Sequence, residues 1–270
     1  MTAKIYSLVF DYQIAKMQSS GRHWADQAYK NKDYIFSYSA ASIATFLDKN
    51  PHLQYVVYTD DPDLLAEKID AYAVQTSTLD IIDATLKIQE WTSHPYCFWP
   101  LIQVADMHYR GEEHALKLDN DLICLRPIDD ILKALDKSVA VVWKYERLCA
   151  NGRDYWGESY AARKGLGTDN FHIYNTGVLG VPKLAQVQAK RIASHCEKLI
   201  AVDISPVHRF PDKPGTVATV FNTSDQVAVN YFIHEAALPV LEAHPWIDHI
   251  CYDKSKERVL TNASHLLKKR

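Results

Sequence analysis

Asp119 and Asp121 stand two residues apart in HALKLDNDLICLRPI (114–128), with Asn120 between them, where an apolar, strand-like run ends. In extended chain, residues i and i+2 share a side, so the two carboxylates can converge on one point while Asn120 points away. Hard divalent cations such as Mg²⁺ or Mn²⁺ take oxygen ligands of this kind, commonly one or two carboxylates together with a substrate diphosphate. The same three residues also suit a plain strand exit, in which Asp119 caps a turn and Asp121 is solvated. The short motif alone does not choose between these readings. A second acidic pair, Asp60-Asp61, closes the run QYVVYTDD (54–61).

The surrounding chain says what positions these acids. Short apolar runs rich in β-branched and aromatic residues alternate with longer segments of helical spacing. KIYSLVF (4–10) reads as a first strand, residues 37–50 as a helix, QYVVYTDD as a second strand and DLLAEKI (63–69) as a short helix. YAVQTS (72–77) offers a third strand, whereas Asp80 and Asp83 in TLDIID read as a helix or turn face. CFWPLIQVADMHYR (97–110) has helical spacing with Pro100 near its start. HALKLDNDLICL is strand, DND and more extended chain; PIDDILKALDK (127–137) is a helix and SVAVVW (138–143) a strand. A polar, aromatic loop fills 144–170, FHIYNTGVLGV (171–181) returns to strand, and 183–200 and 224–236 read as helices. Strands separated by helices of this size imply an α/β fold with a mostly parallel sheet covered on both faces. In such sheets ligands bind at the carboxyl ends of the strands, where both acidic stretches fall. We expect one domain over 1–270, with a nucleotide-binding half (1–125) and an acceptor-binding half with a closing tail (126–270).

Bulk composition narrows the function classes. The 270 residues are 47% hydrophobic and 23% charged, ordinary globular values. A formal charge of −3 argues against a general nucleic-acid binder, which needs surplus clustered Lys and Arg. Five cysteines without CxxC spacing fit reduced thiols rather than a disulfide framework or a zinc site, with Cys124 a small core residue. The start is too quickly polar for a signal peptide, and no run is long enough to span a membrane. The expectation is a cytoplasmic protein. Its basic end, HLLKKR, is either a solvated tail or a phosphate or membrane-surface contact that would place it peripherally on the inner membrane face.

Four segments in order, VVYTDD, LKLDNDLICLRPI, IYNTGVLG and SDQVAVNYF, resemble the GT-A-fold nucleotide-sugar glycosyltransferases. The series is most similar to the retaining family 8 type, which includes glycogenin and bacterial lipopolysaccharide galactosyltransferases. It covers about four-fifths of the chain, each motif weak and their order specific. The stretch ADMHYRGEEHALKLDNDLICLRPID is also similar to the family 32 type.

The resemblance implies a Rossmann-like mostly parallel sheet flanked by helices, and a set of roles. Asp119 and Asp121 would hold Mn²⁺ (or Mg²⁺) against the donor diphosphate, and Asn120 would lie near the ribose. Phe10, Thr59 and Asp60 fall on the donor side. Asn175, Thr176 and Gly177 would line the sugar and acceptor side, with Asp225 and Gln226 facing the donor sugar near the anomeric carbon. A histidine near the C-terminus would complete the metal shell. His265 is the candidate and His244 its rival, because HLLKK replaces the family's HxxGxxKPW. Lys268 or Lys269 would reach the diphosphate. FWPL (98–101) lacks the family's arginine, so Lys117 or Arg110 would supply that cation. The implied partners are a nucleotide-sugar donor and a glycan or lipid-linked acceptor.

Within the polar loop, Tyr155, Trp156 and Tyr160 suit stacking on an acceptor sugar, while the other tryptophans, flanked by apolar neighbours, read as core. A sugar nucleotidyltransferase is a weaker fit, since VFDYQIAKMQSSGR has only a late SSGR where that class carries a Gly-rich phosphate loop. A GT-A domain that binds glycan or a partner without catalysis is the third reading, kept open by the altered closing motif.

Overall fold

In β1 (Ala3–Val9) both side-chain sets are buried: Ile5 and Val9 on one face, Tyr6 and Leu8 on the other. That pattern belongs to a strand covered on both sides. The computed structural model describes residues 3–10, 32–86, 114–146, 173–182, 208–209, 217–218, 233, 236–249 and 257–267. Flanking β1 are β2 (Gln54–Thr59), β3 (Leu79–Asp83) and β4 (His114–Leu118). Beyond them in the chain come β5 (Leu122–Cys124), β6 (Ala140–Glu146), β7 (Ile173–Val181), the short β8 (His208–Arg209) and β9 (Val217–Ala218), β10 (Val240–Glu242) and β11 (Ile247–His249).

Among the described residues, seven strands form one sheet in the order β10-β6-β7-β4-β1-β2-β3. Six run the same way; β7 lies antiparallel between β4 and β6. This bears out a mostly parallel α/β sheet. After β1 the chain builds outward through β2 and β3, then returns to place β4 on the other side of β1. The gap between the carboxyl ends of β1 and β4 is therefore the topological switch point, where open α/β sheets hold their ligands.

The helices are α1 (Lys32–Lys49), α2 (Pro62–Asp70), α3 (Asp129–Asp136) and α4 (Glu257–Leu267). From Ile35 to Leu47 every α1 residue but Ser37 is buried, a helix enclosed almost all round. Its small residues (Ser39, Ala40, Ala41, Ser42, Ala44, Thr45) permit that close approach; Thr45 Oγ1 donates to the Ser42 carbonyl at 2.7 Å, whereas the buried Ser39 Oγ has no hydrogen-bond partner among the described residues. α2 starts where Asp61 accepts the Leu64 N–H at 3.1 Å, with Pro62 in the first turn. Lys32 Nζ, 2.7 Å from Asp61 Oδ2, holds that carboxyl below the usual carboxylate range. One core joins α1, Leu65 and Ile69 of α2, Ile131 and Leu135 of α3 and Ala263 of α4 to the Ile5–Val9 face of the sheet. No helix among the described residues is long and apolar enough to cross a membrane.

Three expectations need correction. The third strand is Leu79–Asp83, not 72–77: backbone bonds from Tyr72 to Ile69 and from Ala73 to Asp70 turn the chain off α2 first. TLDIID is then the sheet's edge strand, and Asp80 and Asp83 face solvent along it, a usual guard against edge pairing. The basic C-terminal end is also more than a solvated tail as far as Leu267, because α4 packs on α1 through Ala263. The helical readings at 97–110, 183–200 and most of 224–236 lie outside the described residues.

Asn50 ties three elements together. Its amide donates to the Phe46 carbonyl at the end of α1 (3.0 Å) and to Cys124 Sγ of β5 (3.4 Å), while its Oδ1 accepts the Ile128 N–H before α3 (2.9 Å). Asn50→Ala leaves a buried Ile128 N–H without its acceptor and should cost about 1–3 kcal/mol in urea unfolding. Gly180 of β7 leaves no room for a side chain: a Cβ there would lie 2.8 Å from Val141 Cβ and 3.0 Å from Leu135 Cδ2. Gly180→Ala should lower stability by about 1–3 kcal/mol through backbone displacement; an unchanged unfolding midpoint would contradict this packing.

Candidate active site

β4 ends at Leu118, and the DND that follows is a turn leading into β5, not continued strand. Asn120 is buried, and its Nδ2 donates to the Leu8 carbonyl at 2.7 Å. That bond carries the turn across the switch point onto the carboxyl end of β1. The flanking Asp119 and Asp121 are half-buried. The side-chain amide placed near a ribose by the resemblance is thus engaged with the β1 backbone.

The turn is held from the other side by β7. Asp119 N–H donates to the Gly177 carbonyl at 2.8 Å, and Gly177 N–H donates to Asn175 Oδ1 at 2.9 Å. Asn175 is buried and closes a local turn. Opposite β6 the register passes from Val142↔Leu179 to Lys144↔Asn175, so Thr176, Gly177 and Val178 bulge against Trp143 alone. Bulges of this kind sit beside active sites, where they re-aim the chain. Toward β4 the register is unbroken, so Gly177 stands opposite Asp119 as the next pair after Leu118↔Val178. The Thr176 side chain lies outside the described part.

Electrostatics at the turn centre on Lys117. Two residues before Asp119 on the same face of β4, its ammonium pairs with Asp119 Oδ1. The Lys117 side chain is 6% exposed and that of Asp119 40%. Lys117 is thus paired with Asp119 in this structure. Behind the turn, β5 is wholly buried, and burial pushes the Cys124 thiol up to about 12, which removes it as a nucleophile.

The remaining assignments divide. Phe10 and Thr59 end β1 and β2 on the same edge of the sheet; both are fully buried, and Thr59 Oγ1 accepts the Asp61 N–H at 3.2 Å. Asp60 is half-buried beside them, while Asp61 is consumed as the α2 cap. His265 is exposed in the last turn of α4, and His244 is exposed with Nδ1 3.4 Å from Glu242 Oε2. Among the described residues no three His, Cys, Asp or Glu side chains group as a cation site, so neither histidine joins the two aspartates there. Asp225, Gln226, Lys268, Lys269, Tyr155 and Trp156 lie outside the described residues. Sequence reasoning missed the Leu8 carbonyl, a contact 112 residues from Asn120. It also missed β11, which pairs with β5 just after Asp121 and is too short to show periodicity.

The chain matches no protein-family model and none of the curated proteins. Solved structures do match. Mouse xyloside xylosyltransferase 1 in its apo form aligns at TM-score 0.54 and 10% identity over 90% of this chain and 86% of that one. The galactosyltransferase LgtC, in complex with donor and acceptor sugar analogues, aligns at TM-score 0.57 and 11% identity over 97% and 95%. The apo glycosyltransferase GlyE of Streptococcus pneumoniae TIGR4 aligns at TM-score 0.55 and 16% identity over 100% of this chain and 63% of that one. With these neighbours and a switch point closed by the DND turn, the chain has the GT-A fold of glycosyltransferases.

Proposed function

We propose that this protein is a metal-dependent glycosyltransferase. It would move a sugar from a nucleotide sugar, most simply a UDP-sugar, to a hydroxyl of a glycan or lipid-linked acceptor, with retention. The observation that carries the reading is the DND turn, pinned to β1 through Asn120 and to β7 through Asp119 at the switch point of a GT-A sheet. Two half-buried carboxylates there suit a hard cation whose other ligands are diphosphate oxygens and water. Such a cation, when bound, neutralises charge on the departing nucleotide diphosphate.

The chain's own residues supply the rest. Asp119 and Asp121 hold and orient the cation. Asn120, Asn175 and Gly177 fix the turn, so no reorganisation is needed as charge develops. Asp225 and Gln226 are assigned to the donor sugar, with Tyr155 and Trp156 to the acceptor. The similar solved structures support the transferase reading: LgtC is complexed with donor and acceptor sugar analogues, and the others are named as a xylosyltransferase and a glycosyltransferase. The second reading, a GT-A domain that binds sugar without transferring it, is favoured by the Lys117–Asp119 pair and by the lack of a third grouped ligand among the described residues.

Titration of a nucleotide-sugar panel with and without Mn²⁺, followed by slow donor hydrolysis, separates the two. The transferase reading expects metal-dependent binding of one donor. Asp121→Ala should then lower its hydrolysis by at least ~100-fold, the scale of several kcal/mol of charge stabilisation. Binding without hydrolysis supports the second reading; no metal-dependent binding of any nucleotide sugar contradicts the first.

A further inference from the structure

The Lys117–Asp119 pair places a cation of the protein's own on a carboxylate that the divalent ion must use. Lys117 sits in mid-strand, in register with Tyr6 of β1 and Leu179 of β7, with its side chain almost wholly buried. A buried ammonium is stable only while an anion compensates it. If a divalent ion took Asp119 alone, two things would follow. The Lys117–Asp119 pair would be broken, and a like charge would be placed beside the ammonium. A diphosphate arriving with the ion resolves both, because its oxygens can ligate the metal and accept from the ammonium.

Resting on the transferase reading above, we propose that Lys117 is a positioning residue that couples cation and diphosphate. Neither loads well alone, and each strengthens the other through the Asp119 carboxylate. The coupling is reciprocal, as any linkage between two ligands must be. This goes beyond holding a donor phosphate. Lys117 acts as a resident competitor that keeps the carboxylate occupied until nucleotide and metal arrive together, so the site would resist stray divalent ions.

The test is a Mn²⁺ titration read by electron paramagnetic resonance of free Mn²⁺, with and without UDP, on the full chain. Wild type should bind Mn²⁺ weakly alone, and UDP should raise its affinity by at least about tenfold, within the usual range for coupled sites. Lys117→Met should bind Mn²⁺ alone at least about tenfold more tightly, since a nearby like charge is gone. In that variant the UDP enhancement should shrink by a similar factor. Lys117→Arg, which keeps the charge, should behave as wild type, and Lys117→Gln gives a second neutral variant should the Met form fold poorly. A neutral variant that binds Mn²⁺ no more tightly than wild type, or that keeps the full enhancement, overturns the proposal. Failure of UDP to bind any form would sink the nucleotide reading instead, and the Mn²⁺-only comparison would still judge Lys117.

Discussion

The bond from Asn120 Nδ2 to the Leu8 carbonyl is the constraint on which the site depends. β1 and β4 run parallel and exchange ladder bonds only as far as Ser7↔Leu118. Beyond that pair the two chains must part, since β1 continues to the Phe10 end and β4 turns toward β5. Without a bridge, the gap between them would be open at the place where the sheet's connectivity reverses. Asn120 supplies the bridge from the β4 side. The aspartates on either side of it are half-buried. The apolar β5 that follows then anchors the turn's far end against Thr45, whose Oγ1 accepts the Cys124 N–H at 3.0 Å, and against β11.

A rigid turn matters under the proposed function because its carboxylates would have two jobs. In this structure Asp119 compensates the charge of Lys117. In the proposed transfer the pair would present oxygen atoms to a cation, where a preorganised site has its advantage. The β4–β7 register serves both. It runs on from Leu118↔Val178 to Asp119 opposite Gly177, whose carbonyl accepts the Asp119 N–H, so the main chain of the turn is held independently of its side-chain partners. Asn175 secures the bulge through its side-chain Oδ1, so a polar residue buried in mid-strand is accounted for by local geometry.

Local patterns carried most of the fold. The apolar runs KIYSLVF and QYVVYT, the short helix at DLLAEKI and the helical spacing of PIDDILKALD all correspond to observed elements. What was hidden is non-local. TLDIID has its apolar residues adjacent rather than alternating, because an edge strand is half-exposed on both faces, so its period could not reveal it. β10 and β11 are three residues each and exist only through pairing with β6 and β5. At the site, the sequence marked Asp119, Asn120 and Asp121 as a polar exit from a strand, and Asn120 is buried there. Nothing in the sequence could say that its partner would be a backbone oxygen of β1, or that Lys117 would turn back on Asp119 rather than outward to a donor.

A crystal structure of the protein grown with Mn²⁺ and UDP measures the central claim most directly. The account expects the metal between Asp119 and Asp121, bridging to the diphosphate above the carboxyl ends of β1 and β4, with Asn120 still on the Leu8 carbonyl. Nucleotide bound elsewhere on the molecule, with the DND turn free of metal and Lys117 still paired to Asp119, would contradict it.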